Sequence, residues 1–293
     1  MIETAGFTLP GGMLGPSGQL HRDGWLRPLT GGDEDWLYSL GPSTRQAGLI
    51  TALLARCVAQ IGPYDMTCEL SRELSIGDRD YLLFKLCEAT FGRRMPRVVR
   101  CPSGACGAKL DLDLATDDFV VIEKPVALGH RITLEGEGGA ALDIDFHVPR
   151  GREQEEIAAS VLSSPEELRD QLAESCVTRV AVAGGEVELP YAALPAGTRR
   201  ALASAIEGVA PRLDLELEMV CPECSNEFAI TVDPAAMLLG ELGAGPTALE
   251  RELHVLAFHY HWSLGELLQL SRPRRRRFLR LLSEELGARA SWS

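Results

Sequence analysis

A chain of 293 residues with 45% hydrophobic content and a mean hydropathy near zero has enough apolar material for one large core or two smaller ones, which excludes a disordered chain. A net charge of −13 excludes a general nucleic-acid binder, because such binding depends on a basic surface that neutralises phosphates. No run of 18 apolar residues is present and the start MIETAGFTLPGGM lacks the basic and apolar regions of a secretory signal. The expectation is therefore a cytoplasmic chain at synthesis, away from membranes, whose eight cysteines are reduced and available to metal rather than disulfides.

After a strand-rich entry, the Gly turn of LRPLTGGDEDWL leads into an acidic helix start. Ser43 reads as the N-cap of a long helix whose apolar stripe is Leu49, Ile50, Leu53, Leu54, Cys57, Val58 and Ile61. A second helix from about Asp78 carries Leu82, Leu83, Leu86, Cys87 and Phe91 and stops at Gly92. Cys57 and Cys87 fall on these inward faces, as does Cys176 further on, so packing is their expected role. RVVRCPSGACGAKLDLDL then reads as a hairpin, with strand alternation on either side of a Pro-Ser-Gly turn that holds Cys101 and Cys106.

The same order recurs about 120 residues later. Gly31 falls on Gly151, Gly77 and Arg79 fall on Gly197 and Arg199, and Cys101 falls on Cys221, while Cys57 and Cys176 are offset by 119. Even the strand Phe7-Thr8-Leu9 before a glycine has an echo in Ile132-Thr133-Leu134. Within the second stretch, Ser164-Pro165-Glu166-Glu167 is a strong helix start from which Leu168, Leu172, Cys176 and Val177 run inward, and GEGGA at 136–140 reads as a hairpin turn. The expected fold is α+β: a tandem duplication of a helix plus β-hairpin unit, in residues 1–125 and 126–240, followed by a small helical segment at 241–293. Two unrelated α+β domains are the alternative.

Cys221 and Cys224 in CPEC have the spacing that aims two thiolates at one point; Cys101 and Cys106 in CPSGAC have a turn two residues longer. One hairpin from each copy completes a four-cysteine structural zinc site, one ion per chain, closed to water and substrate. Free thiols are the alternative. The motifs of phosphate-binding loops, nucleophile elbows and zinc proteases are missing, so neither catalysis nor a small-molecule substrate is expected. His254, His259 and His261 lack a ligand pattern.

Residues 241–293 carry eight Arg and six Glu, a net +2 that leaves −15 on residues 1–240. Helices are expected over about 247–260, from a capping box at Ser263-Leu264-Gly265-Glu266, and over about 273–287. Trp262 packs among them, and the run Arg274, Arg275, Arg276, Arg277 together with Trp262 is the candidate docking face for acidic protein partners. The competing reading is a zinc-ribbon nucleic-acid-binding regulator that uses this Arg-rich segment.

LRPLTGGDEDWL, LSIGDRDYLLFKLCEATFG with its following Cys-Pro knuckles, and LAFHYHWSLGELLQLSRPRRRRFLRLL together resemble the T4-type baseplate hub protein family of contractile phage tails and extracellular contractile injection systems. The resemblance implies a non-enzymatic baseplate component or assembly factor that binds other baseplate, hub, spike or tail-tube proteins in a phage-tail-like particle.

Overall fold

The computed structural model describes residues 4–40, 46–115, 118–159, 164–185, 188–242 and 245–290. Strands β1 (Ala5–Leu14), β2 (Leu20–Leu26), β3 (Val58–Ile61) and β4 (Tyr64–Asp65) form an antiparallel sheet in that order. Helices α1 (Gly31–Ser39) and α2 (Gln46–Cys57) lie between β2 and β3, and α3 (Cys68–Glu73) and α4 (Ile76–Phe91) follow β4. The hairpin β5 (Arg94–Arg100)/β6 (Lys109–Ala115) and the short β7 (Val120–Ile122) come next. A second run of elements has β8 (His130–Glu135), β9 (Ala141–Phe146), α5 (Gly151–Ala159), α6 (Pro165–Cys176), β10 (Val177–Val182), α7 (Ala196–Val209), β11 (Arg212–Asp214) and the hairpin β12 (Glu216–Val220)/β13 (Glu227–Thr231). The chain ends in α8 (Pro234–Glu241), α9 (Gly245–Tyr260), α10 (Leu264–Leu268) and α11 (Arg272–Ala290).

The main core packs α2 and α4 under the first sheet, with Leu9, Leu26, Leu54, Leu82 and Leu86 almost fully buried. It also takes in Leu213 of β11 and Ala235, Met237 and Leu238 of α8, so it reaches past residue 125. Likewise β7 pairs with β11. A smaller core joins β8, β9 and β10 to α6 and α7 around Ile144, Cys176, Leu202 and Ile206. A third, around Leu256 and Leu267, holds the C-terminal helices together.

Helix starts follow the sequence closely. Ser75, Ser164 and Ser263 each cap a helix with the hydroxyl accepting a backbone N–H, and Ser263 and Glu266 form the expected capping box. A further box, Thr30 with Asp33, opens α1. Gly92 ends α4 at a φ of 104°. Ser43, the expected cap of α2, lies outside the described residues.

Helix ends differ from expectation at two places, in the same way. The stripe through Val58 and Ile61 does not continue α2. The helix stops at Cys57 and these residues enter β3, where both are buried. In the second run α6 stops at Cys176 and Val177 begins β10. At each switch a neighbouring strand end captures the last helical carbonyl, Arg27 N–H donating to Cys57 and His147 N–H to Cys176, 2.9 and 3.0 Å. A β-branched residue then follows on the ladder. Leu168, expected inward, is 41% exposed.

Two junctions tie these runs together by one backbone pattern. Gly31 at the head of α1 donates to the Leu270 carbonyl, and Arg272 donates back to Leu29, 3.0 and 2.8 Å. Gly151 at the head of α5 donates to Leu74, and Ile76 donates back to Pro149, both 3.0 Å. Thr30 faces Ser271 in the first junction and Arg150 faces Ser75 in the second, each as an isolated antiparallel bridge.

Candidate metal centre

The two cysteine hairpins meet. β5 and β6 pair from Arg94↔Ala115 to Arg100↔Lys109, and β12 and β13 from Glu216↔Thr231 to Val220↔Glu227, so each ladder ends one residue before its first cysteine. Cys101 N–H then bonds the Ala108 carbonyl and Cys221 N–H that of Asn226, both 2.9 Å, which closes the two loops. The residue after the second cysteine of each loop has positive φ, 60° at Gly107 and 57° at Ser225. This left-handed step returns the chain to the strand, and it lets the longer CPSGAC loop and the shorter CPEC loop finish alike.

All four sulfurs lie within 4.8 Å of one another. The pairs Cys101–Cys224 and Cys106–Cys221, each with one sulfur from either hairpin, are 3.7 and 3.9 Å apart. A tetrahedral thiolate site with metal–sulfur bonds of about 2.3 Å has edges of about 3.8 Å, and a disulfide needs about 2.05 Å, so the spacing fits a metal and not a cross-link. Cys101 and Cys221 are buried, Cys106 is half-buried and Cys224 is exposed, with Leu110, Met219 and Phe228 packed around the cluster.

Backbone N–H groups point at the sulfurs. Burial pushes the Cys221 thiol up, but the amides of Glu223 and Cys224 and the sulfurs of Cys224 and Cys101 outweigh it and bring it down to about 7. The amides of Ser103, Ala108 and Asn226 pull Cys101, Cys106 and Cys224 down in turn, while burial and the neighbouring thiols leave those three above their ordinary value. Four thiols that share one small volume thus release the first proton readily and the others reluctantly, and a divalent cation removes that conflict. The remaining buried cysteines are inert by contrast: burial, with a neighbouring carboxylate in each case, Asp33 and Glu153, pushes Cys57 and Cys176 up to about 12. Among the described residues the four hairpin cysteines are the one group of His, Cys, Asp and Glu side chains close enough to hold a metal ion.

The expected docking face divides. Arg274, Arg276 and Arg277 are exposed, and Arg274 lies over the Phe278 ring at 6.0 Å. Trp262 is half-buried, stacked on Tyr260 at 4.9 Å and edge-on to Phe278 at 5.0 Å. Arg275 is not available to a partner. Its side chain has no exposure, and it is bound to Glu34 at 2.7 Å and to Glu252 at 2.6 Å. The helical turn points position 275 inward while 274, 276 and 277 point out. Arg272, which the sequence reading passed over, joins the same buried Glu34 at 2.8 Å. The Glu34 partner lies 241 residues before Arg275, and the clue, an acidic helix start against a run of Arg, carried no pairing.

The fold and this centre define a class: a scaffold of packed helices and short sheets whose two distant hairpins bring four cysteine sulfurs together. The chain belongs to the family described as T4 bacteriophage base plate protein, which matches residues 24–237. No curated protein and no solved structure matches it. No helix among the described residues is long and apolar enough to cross a membrane.

Proposed function

We propose that this chain is a non-enzymatic structural component or assembly factor of the baseplate of a phage-tail-like contractile injection system, built from tandem copies of one unit and stabilised by one structural zinc. The observation that carries the reading is the convergence of the two hairpins on four sulfurs within 4.8 Å of one another in a baseplate-family chain. The order of elements in the two runs, with their matched helix-to-strand switches at Cys57 and Cys176, supports the duplication. The exposed Arg274, Arg276 and Arg277 supply cations for an acidic surface on another baseplate, hub, spike or tail-tube protein. A nucleic-acid regulator is disfavoured, because Arg275 and Arg272 are neutralised internally and the net charge is −13.

The test is zinc content and assembly together. Purified chain is expected to hold one zinc by elemental analysis. Cys221→Ser is expected to lose the ion, to lower the melting temperature by several degrees and to fall out of assembled baseplates. Full incorporation of a zinc-free chain with unchanged melting would refute the structural role.

A further inference from the structure

The two junctions share a chemistry that a third place in the molecule repeats with one half missing. At each junction an extended residue and a glycine open a helix, and that start lies antiparallel to a Leu-Ser pair at the head of another helix. The arginine four residues after that serine turns back beneath the glycine. A Cβ on Gly31 would lie 3.2 Å from Arg275 Nη1, and one on Gly151 only 2.2 Å from Arg79 Nη1. The residue three after the glycine then receives the guanidinium: Glu34 accepts from Arg275 Nη2 at 2.7 Å, and Gln154 from Arg79 Nε at 3.2 Å.

The head of α7 carries the receiving half again. Leu194, Pro195 and Arg199 stand where Leu74, Ser75 and Arg79, and Leu270, Ser271 and Arg275, stand at the filled junctions. Arg199 Nη1 donates to Asp170 on α6 at 2.6 Å, as Arg79 Nη2 donates to Thr51 on α2 at 2.9 Å. Among the described residues the Leu194 carbonyl and the Ala196 N–H make no backbone hydrogen bond, and these are the two groups that both filled junctions use. Arg199 Nε is buried without a hydrogen-bond partner, whereas Arg79 spends that atom on Gln154. Beside it a cleft of about 250 Å³ runs between α6 and α7, lined by Glu166, Asp170, Ala196, Arg199, Arg200 and Ala203. In the filled junction α5 lies in contact with α2 and α4, the corresponding helices.

We infer that the head of α7 is an open joint that receives a helix start from a different protein, one opened by an extended residue and a glycine and bearing Glu or Gln three residues after that glycine. The incoming glycine N–H bonds the Leu194 carbonyl, the carbonyl two residues before it accepts from Ala196, and the Glu or Gln oxygen reaches Arg199 Nε. A second copy of this chain is a poor source, since its two inserting halves at Gly31 and Gly151 are already seated within it. The baseplate reading enters only in where the partner is sought.

Two measurements on the full chain test the joint. In the first, a peptide of residues 147–158, braced as a helix, is titrated against the chain by fluorescence anisotropy. Saturable binding is expected, weakened at least tenfold by Arg199→Ala in the chain or by Gly151→Val in the peptide. No binding, or binding indifferent to both changes, overturns the joint. In the second, a photo-crosslinking residue replaces Arg200 at the exposed rim, and the chain is assembled with the other tail proteins and irradiated. The expected product is a segment of a different protein with the glycine-led helix start, lost on adding Arg199→Ala. Cross-linking only to another copy, or to a segment without that glycine, overturns the assignment of the partner. A chain that binds the peptide but neither enters a particle nor cross-links to any tail protein during assembly refutes the baseplate reading and leaves the joint standing.

Discussion

Asp78 shows how one side chain can be held in place and still be costly. It is fully buried at the head of α4, where its carboxylate accepts from the N–H groups of Gly11 and Gly12, at 2.8 and 3.3 Å, and from the Ser75 hydroxyl at 2.7 Å. Burial pushes its pKa up to about 6, against the downward pull of those three donors and of Arg22. A folded-state value above the unfolded one means that the native state binds the proton more tightly. This contribution is thus fully present below about pH 4 and is lost as pH rises through about 6, and a shift of two units corresponds to about 3 kcal/mol. Asp78→Asn keeps an acceptor for the two glycine amides and cannot ionise. Urea unfolding at a series of pH values is expected to show the variant gaining on the parent by that order between pH 4 and 7, and parallel curves would count against it. The sequence marks this residue only as a helix start and not as a buried acceptor, because both amides that bind it lie 66 and 67 positions away. The four cysteines were legible for the opposite reason: a thiol pair on a short turn declares its chemistry locally.

Whole elements were legible where the signal is local and obscure where a neighbour decides. The caps at Ser164 and Ser263 and the stop at Gly92 could be read directly, whereas the ends of α2 and α6 could not, since a strand from elsewhere takes over at Cys57 and Cys176. Gly77 and Gly197 show the same limit. They fall 120 positions apart in matching helix starts, yet their surroundings are opposite. A Cβ on Gly77 would stand 1.9 Å from the Pro211 carbonyl oxygen, which is backbone and cannot swing away, while one on Gly197 would meet nothing within 4 Å. Gly77→Ala is therefore expected to destabilise the protein by about 1–3 kcal/mol through overpacking. Gly197→Ala is expected to be neutral or to stabilise it by up to about 1 kcal/mol through reduced freedom of the unfolded chain. Chemical denaturation of the two variants checks both signs, and a similar loss in each would show that α7 is as closely packed at its head as α4.

At the scale of the molecule, the C-terminal helices are tied to the first run of elements by charge as well as by the backbone bridge at Thr30 and Ser271. Glu34 is 1% exposed and is shared by Arg272 and Arg275, and Glu252 on α9 holds the far side of Arg275. Arg272 also lies over the Phe91 ring at 5.2 Å. A pair of guanidinium groups this deeply placed is tolerable only while the carboxylate stays between them, because removing one member leaves buried charge uncompensated at a cost on the order of 3–5 kcal/mol. Glu34→Ala is therefore expected to do more than weaken one contact. It leaves two arginines that can regain water only if α11 moves away from α1, so the segment should loosen as a unit while the first core remains folded. Limited trypsin digestion reads this directly: cleavage within Arg274–Arg277 should accelerate at least tenfold in Glu34→Ala, with the melting transition of the remainder reduced much less. In Glu34→Gln, which keeps one acceptor oxygen for a guanidinium N–H but neither the second acceptor nor the charge, the acceleration should be smaller. Equal protection in all three proteins would mean that the bridge at Ser271 and the apolar contacts around Leu256 and Leu267 suffice to hold the segment, and that the buried charges set its register rather than its attachment.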